Sequence, residues 1–369
     1  MRRQLVQARR LVVKIGSSSL TRPDGRLDLN RIDQVAAVLA QLTRAGKQVV
    51  LVSSGAVAAG LDPLGFDTRP RELPTVQACA AMGQGLLVAR WAAGFQAHFR
   101  HVAQVLLTAE DVMRRDHYTN ARQALDKLLN LGVIPVVNEN DAVTTREVRF
   151  GDNDRLAAYV SHLVHADALV ILTDVDGLYT APPSHPQARR IVTVTDPAQL
   201  QEIQLEGAGS AVGTGGMRTK LRAALMAGDS GIDVVMCHAD DLAAAARGQV
   251  VGTFFAATGK RRPSRSLWIA HAALSQGQIL VDDGAARAIT TGKKSLLLAG
   301  VVSARGSFQT GDVVEVHDGR GLFARGVCAY DSEDVNRWRG KSMGELKEAG
   351  HLDPRPVIHR DDLAQVPRL

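Results

Sequence analysis

The chain has 369 residues, 45% hydrophobic and 22% charged, ordinary proportions for a soluble globular protein with room for two domains. Its net charge of +6 suits phosphate-bearing or acidic ligands without choosing among them. The three cysteines, Cys79, Cys237 and Cys328, are too scattered for a CxxC zinc site or a disulfide framework, and no apolar run approaches the ~20 residues that span a membrane, so a reducing cytoplasm is expected.

The basic start MRRQLVQARR reads as a lead-in to the first strand, because Lys14 and Gly16 interrupt the apolar run a targeting segment would need. Leu11 to Ile15 predicts a strand. Asn30 is then placed to cap a helix with Ile32, Val35, Ala36 and Leu39 on one face and Gly46 as its stop. Strands are predicted at Gln48 to Val52, Val102 to Leu107, Val133 to Val137, Ala168 to Thr173 and Ile232 to Met236. Strands alternating with helices predict an α/β domain over residues 1–260, a mostly parallel open sheet with helices on both faces. The basic, breaker-rich stretch from Gly259 to Pro263 opens a linker over 261–276. From Gly277 the strands shorten, at Ile279 to Val281, Leu296 to Val302, Val313 to Val316 and Leu322 to Val327, and predict a small, mostly β domain and tail over 277–369.

Ligands of such sheets bind beyond the carboxyl ends of the strands, and there the first domain gathers unusual residues. Lys14, with Gly16 and the serines after it, offers an ammonium and close backbone approach to a phosphate, or merely a snorkelling lysine beside a turn. Ser53, Ser54 and Gly55 follow the second strand as hydroxyl donors or as a helix cap. Asn138, Glu139, Asn140 and Asp141 crowd the end of another strand, where an Asx turn is the plain alternative. Asp152, Asn153 and Asp154 open a helix. A single cap explains one of them and not all three. Thr173 and Asp174 end the strand before ILTDVDGLYT completes its turn.

The loop Gly213, Thr214, Gly215, Gly216, Met217, Arg218, Thr219, Lys220 runs into a helix as a phosphate cradle. It fits no standard nucleotide motif. A Walker A ending at Gly340-Lys341-Ser342 would need glycine at 335, where Val335 stands, and the dinucleotide pattern needs glycine at 218, where Arg218 stands. Two lysines, glycine loops and acidic clusters together point to phosphoryl transfer, a reaction of positioning and charge neutralisation.

In order and approximate spacing, VVKIGSSSL, LVSSGAVAAG, VIPVVNENDAV, FGDND, ILTDVDGLYT and GTGGMRTK resemble the glutamate 5-kinase (γ-glutamyl kinase) family of the amino acid kinase superfamily, with no departure at a motif position. The tail from Gly277 to Gly350 resembles a PUA domain. The resemblance implies the amino acid kinase fold and ATP-dependent phosphorylation of the L-glutamate γ-carboxylate to L-glutamyl 5-phosphate, the committed intermediate of proline biosynthesis. It also implies Mg²⁺, proline as inhibitor and a homo-oligomer. By the same resemblance Lys14 and Lys220 contact the migrating phosphoryl group and Asp154 orients both. Ser54, Asn138, Asp141, Asp152 and Asn153 hold glutamate. Lys14, Gly16, Thr173, Asp174 and Thr214 through Lys220 bind ATP.

Two rivals bound this reading. Another superfamily kinase is disfavoured by the acidic substrate loop, which an N-acetylated substrate would not need. RNA binding by the tail is an accessory expectation only, since Lys plus Arg and Asp plus Glu each number ten between Gly277 and Gly350.

Overall fold

The computed structural model describes residues 2–108, 111–112, 114–144, 153–200, 216–258, 266, 269–270, 275–348 and 355–366. Two compact units divide the chain, Met1–Arg261 and Arg262–Leu369.

Among the described residues the first unit is built on an eight-stranded sheet. Its strands are β1 (Arg10–Ile15), β2 (Gln48–Ser53), β3 (Val102–Leu107), β4 (Ile134–Glu139), β5 (Ala168–Thr173), β6 (Thr193–Val194), β7 (Asp233–His238) and β8 (Thr253–Phe255). Their spatial order is β3-β4-β2-β1-β5-β7-β8-β6. All pairings are parallel except β7 with β8. Every residue of β4 and β5, and all but the first of β1 and β2, is buried. Consecutive burial means that both faces are covered, as parallel sheets require. Helices α1 (Leu29–Arg44), α2 (Leu73–Gln96), α3 (Asn153–Leu163) and α4 (Met217–Asp229) provide much of that cover. The core beneath α1 joins Ile32, Val35, Ala36 and Leu39 to Val13, Ile15, Leu51 and Trp91.

The expected α/β architecture is therefore observed, with local corrections. Asp28, not Asn30, caps α1, and its carboxylate accepts the Arg31 N–H at 3.1 Å. The cap has to sit outside the first turn to reach an unpaired amide, and Asn30 lies inside it. Gly55, in the left-handed region with no side-chain cap bond, precedes the helix Ala56–Leu61, so the serines before it are not spent on capping.

The second unit carries a five-stranded sheet of β9 (Gly277–Val281), β10 (Val301–Gly306), β11 (Val313–Asp318), β12 (Gly321–Val327) and β13 (Leu363–Gln365), ordered β10-β9-β11-β12-β13. Only β9 with β11 runs parallel. Its own core includes Ile279, Val314, Val316, Phe323 and Ile358. The strand expected from Leu296 is displaced: Leu298–Gly300 forms a 3₁₀ turn, and the strand begins at Val301. Ile269 and Ala270 are buried against Val313 and Ala364.

No helix among the described residues is long and apolar enough to cross a membrane. The three cysteines are buried free thiols. Burial pushes Cys237 up to about 12 and Cys328 up to about 11, so neither is a ready nucleophile.

Candidate active site

β1 lies between β2 and β5, with Lys14 level with Val52 and Ile171 near the carboxyl end of the sheet. A lysine this deep, 3% exposed, needs an anion. Asp154 supplies it from the first turn of α3: Lys14 Nζ lies 2.5 Å from Asp154 Oδ1. From the first turn of α4, Lys220 Nζ donates to Asp154 Oδ2 at 3.3 Å, and Thr219 Oγ1 donates to the same oxygen at 3.2 Å. Asp154 is wholly buried and Lys220 is 6% exposed. Burial pushes the Asp154 carboxyl up, but the charges of Lys14 and Lys220 and their hydrogen bonds outweigh it and hold the group below the usual carboxylate range. Two cations on one carboxylate leave this triad with a net positive charge, which suits an anionic ligand. Gly16 stands two residues after Lys14, and a side chain there would begin 3.1 Å from the Lys14 ammonium.

One residue before Asp154, Asn153 ties two strand ends, those of β2 and β4, together. Its Nδ2 donates to Ser53 O at 3.1 Å, to Ser54 Oγ at 2.9 Å and to Asn138 Oδ1 at 2.9 Å. Asn138 also accepts the Glu139 N–H through that oxygen. The Ser53 hydroxyl is fixed from behind by Trp91 Nε1 at 2.9 Å. Asn153 Oδ1 is buried and, among the described residues, accepts no hydrogen bond. Such an acceptor is costly unless a donor arrives. Asp141 is half-buried in the turn after β4.

Thr173 is buried at the end of β5, where its hydroxyl donates to the exposed Asp174 at 3.0 Å. Gly216 caps α4, with half-buried Met217 and exposed Arg218 in its first turn. Asp152, Thr214 and Gly215 lie outside the described residues. Of the expected site residues, then, Lys14, Asp154, Thr219 and Lys220 meet in one cluster and Ser54, Asn138 and Asn153 in a second joined to it through α3. Trp91 was not singled out in the sequence. It sits among ordinary core positions, and only its indole bond to Ser53 reveals its part.

A mostly parallel sheet with paired lysines at its carboxyl edge defines a class, and comparison gives it a name: residues 9–238 match the amino acid kinase family, and 277–348 match the PUA domain. The chain belongs to the amino acid kinase family. The carbamate kinase of Giardia lamblia bound to AMP-PNP shares the fold, with TM-score 0.52 and 18% identity over 68% of this chain and 99% of that one. Within the family the chain groups with the glutamate 5-kinases. It is 52% identical over 365 residues to the glutamate 5-kinase of Streptomyces coelicolor, covering 98% of each chain. To that of Thermobifida fusca it is 51% identical over 366 residues, covering 98% of this chain and 94% of that one.

Proposed function

We propose that the chain transfers the γ-phosphoryl group of ATP to the side-chain carboxylate of L-glutamate, giving L-glutamyl 5-phosphate and ADP, the first step of proline biosynthesis. The observation that carries this reading is the buried set Lys14, Asp154 and Lys220 at the carboxyl edge of the sheet. A glutamate side chain has a pKa of ~4.3, so at neutral pH the nucleophile is already an anion and needs no general base. Its approach to a phosphate is opposed by charge. The two ammonium groups offset that repulsion, most strongly as charge spreads onto the transferring phosphoryl oxygens. Asp154 touches neither substrate in this reading. It fixes the lysines so that little reorganisation is needed during transfer.

Glutamate is held by Ser54, Asn138, Asp141, Asp152 and Asn153. The Asn153 carbonyl oxygen suits the α-ammonium, and Asp141 adds charge. ATP is held by Lys14, Gly16, Thr173, Asp174 and Thr214 through Lys220. Among the described residues no group of three or more His, Cys, Asp or Glu gathers as a metal cage. Mg²⁺ would be carried in on the ATP phosphates, the usual habit of this ion.

Proline is the expected inhibitor and the cytoplasm the expected compartment. A homo-oligomer is supported by α2, which carries no charged residue from Leu73 to Ala89 yet exposes Ala78, Ala81, Met82, Gly85, Leu86 and Ala89. A helix apolar on all sides ordinarily has a partner on each. RNA binding by the second unit remains an accessory reading.

The deciding assay is ADP release with glutamate, aspartate, N-acetylglutamate or UMP as acceptor, with and without proline. Glutamate-dependent turnover is expected. Equal turnover with N-acetylglutamate would overturn the substrate assignment.

A further inference from the structure

We infer that Thr253, at the start of β8 and outside every motif of the site, is a positioning residue for nucleotide binding. The inference rests on the proposed assignment of Thr173 and Asp174 to ATP. Asp174 lies in the turn that leaves β5. One end of this turn is fixed by the sheet, where Thr173 is in register with His238. The other end is fixed by Thr253. Its hydroxyl accepts the Leu178 N–H at 2.8 Å and donates to Ile191 O at 2.5 Å.

Leu178 and Ile191 already face each other, since the Ile191 N–H donates to Leu178 O at 2.7 Å. The hydroxyl of Thr253 therefore stands in the ladder of this pair as an extra rung. It uses both its donor and its acceptor capacity, and it is fully buried. The approach is close: at Gly177, with φ of +151°, an added side chain would begin 2.8 Å from the Thr253 oxygen.

A second clamp meets the same junction. The Arg2 guanidinium donates to Val192 O at 3.0 Å, to Gly252 O at 3.1 Å and to Val251 O, and stacks 5.5 Å from the Phe254 ring. Arg2 thus binds the residue after Ile191 to the two residues before Thr253. Two side chains far apart in sequence lock one junction, and the junction holds the turn that presents Asp174. Valine in place of Thr253 keeps the shape but deprives the buried Leu178 N–H and the half-buried Ile191 carbonyl of this partner, which the turn can relieve only by moving.

The test measures ATP affinity directly by calorimetry, together with KM for both substrates and a thermal melt, on the full chain. Thr253→Val is expected to weaken ATP binding about tenfold, about what one of its two lost hydrogen bonds is worth. KM for glutamate should stay within about twofold, because Asn153 lies on α3 and its partners at the ends of β2 and β4. Thr253→Ser, which restores the hydroxyl, should return ATP affinity to the wild-type value, and Arg2→Ala should weaken it in the same direction as Thr253→Val. Wild-type ATP affinity in a folded Thr253→Val, or equal weakening for both substrates, would overturn the inference. Should Thr253→Val not fold, wild-type ATP affinity in Arg2→Ala overturns it instead. A wild-type chain that binds no ATP would sink the nucleotide assignment itself, a result distinct from either.

Discussion

Lys14 and Lys220, which stand near opposite ends of the first unit's sequence, bind the two oxygens of a single carboxylate, that of Asp154. Neither lysine is placed by its own element alone. β1 delivers the first, the start of α4 the second, and the start of α3 the anion that holds them together.

Lys220→Ala is expected to lower turnover by ~10²–10³, the usual result of losing one preorganised donor to the transferring group. Its melting temperature should stay close to that of the wild type, since Asp154 keeps Lys14. Coupled ADP release beside a thermal melt checks this, and unchanged turnover would place Lys220 outside the reaction.

Asp154→Asn should destabilise the fold by ~3–5 kcal/mol, because two buried ammonium groups would face a neutral amide. It should also change the response to acid. The folded carboxyl titrates below its unfolded value of ~3.9. Its contribution to stability is therefore fully present above pH ~4 and is lost as pH falls through the folded value. Denaturant unfolding from about pH 6 down to about pH 3 should give a shallower acid limb for the variant than for the wild type. Parallel limbs would contradict the depressed carboxyl.

Asp141→Ala should raise KM for glutamate about ten- to a hundredfold with little change for ATP, matching ~1.5–3 kcal/mol for a charged hydrogen bond to a substrate ammonium. Equal losses for both substrates in steady-state kinetics would mark Asp141 as structural.

Gly83 and Gly85 share α2 and should respond with opposite signs. An added side chain at Gly83 would start 1.8 Å from the Ala56 carbonyl oxygen, whereas nothing lies within 4 Å at Gly85. Gly83→Ala is expected to cost at least ~1–3 kcal/mol by overpacking. Gly85→Ala should gain ~0.5–1 kcal/mol from helix propensity. Chemical denaturation of both variants reads the difference.

A chain of residues 1–260 should melt cooperatively and retain glutamate kinase activity, since all residues proposed for chemistry precede Lys220 by sequence or are Lys220 itself. The second unit has a separate core around Val314, Val316 and Phe323. A folded but inactive truncation would extend the catalytic unit past residue 260.

The strands of the first unit were legible because buried parallel strands are written as unbroken apolar runs. Ala168–Thr173, buried throughout, matches the sequence reading residue for residue, and so does the edge strand Val102–Leu107, although only Leu107 of it is buried and Gln104 interrupts its apolar run. The reach of Asn153 was not legible. Sequence places it at a helix start, where capping is its ordinary use, and only the folded chain turns its amide onto Ser53, Ser54 and Asn138. β8 escaped as well. Three residues carry too little periodicity to separate a strand from a loop, and with it went Thr253.

The strand order has a consequence for synthesis. β1 is among the first elements made, yet its two neighbours come far apart in time, β2 soon after it and β5 only once residue 173 has emerged. Until then the nascent sheet can extend only through β2, β4 and β3, and the other edge of β1 is an open row of backbone donors and acceptors. A chain emerging from the ribosome must shield that edge for the whole interval, so the centre of the finished sheet is its most vulnerable margin while the protein is being made.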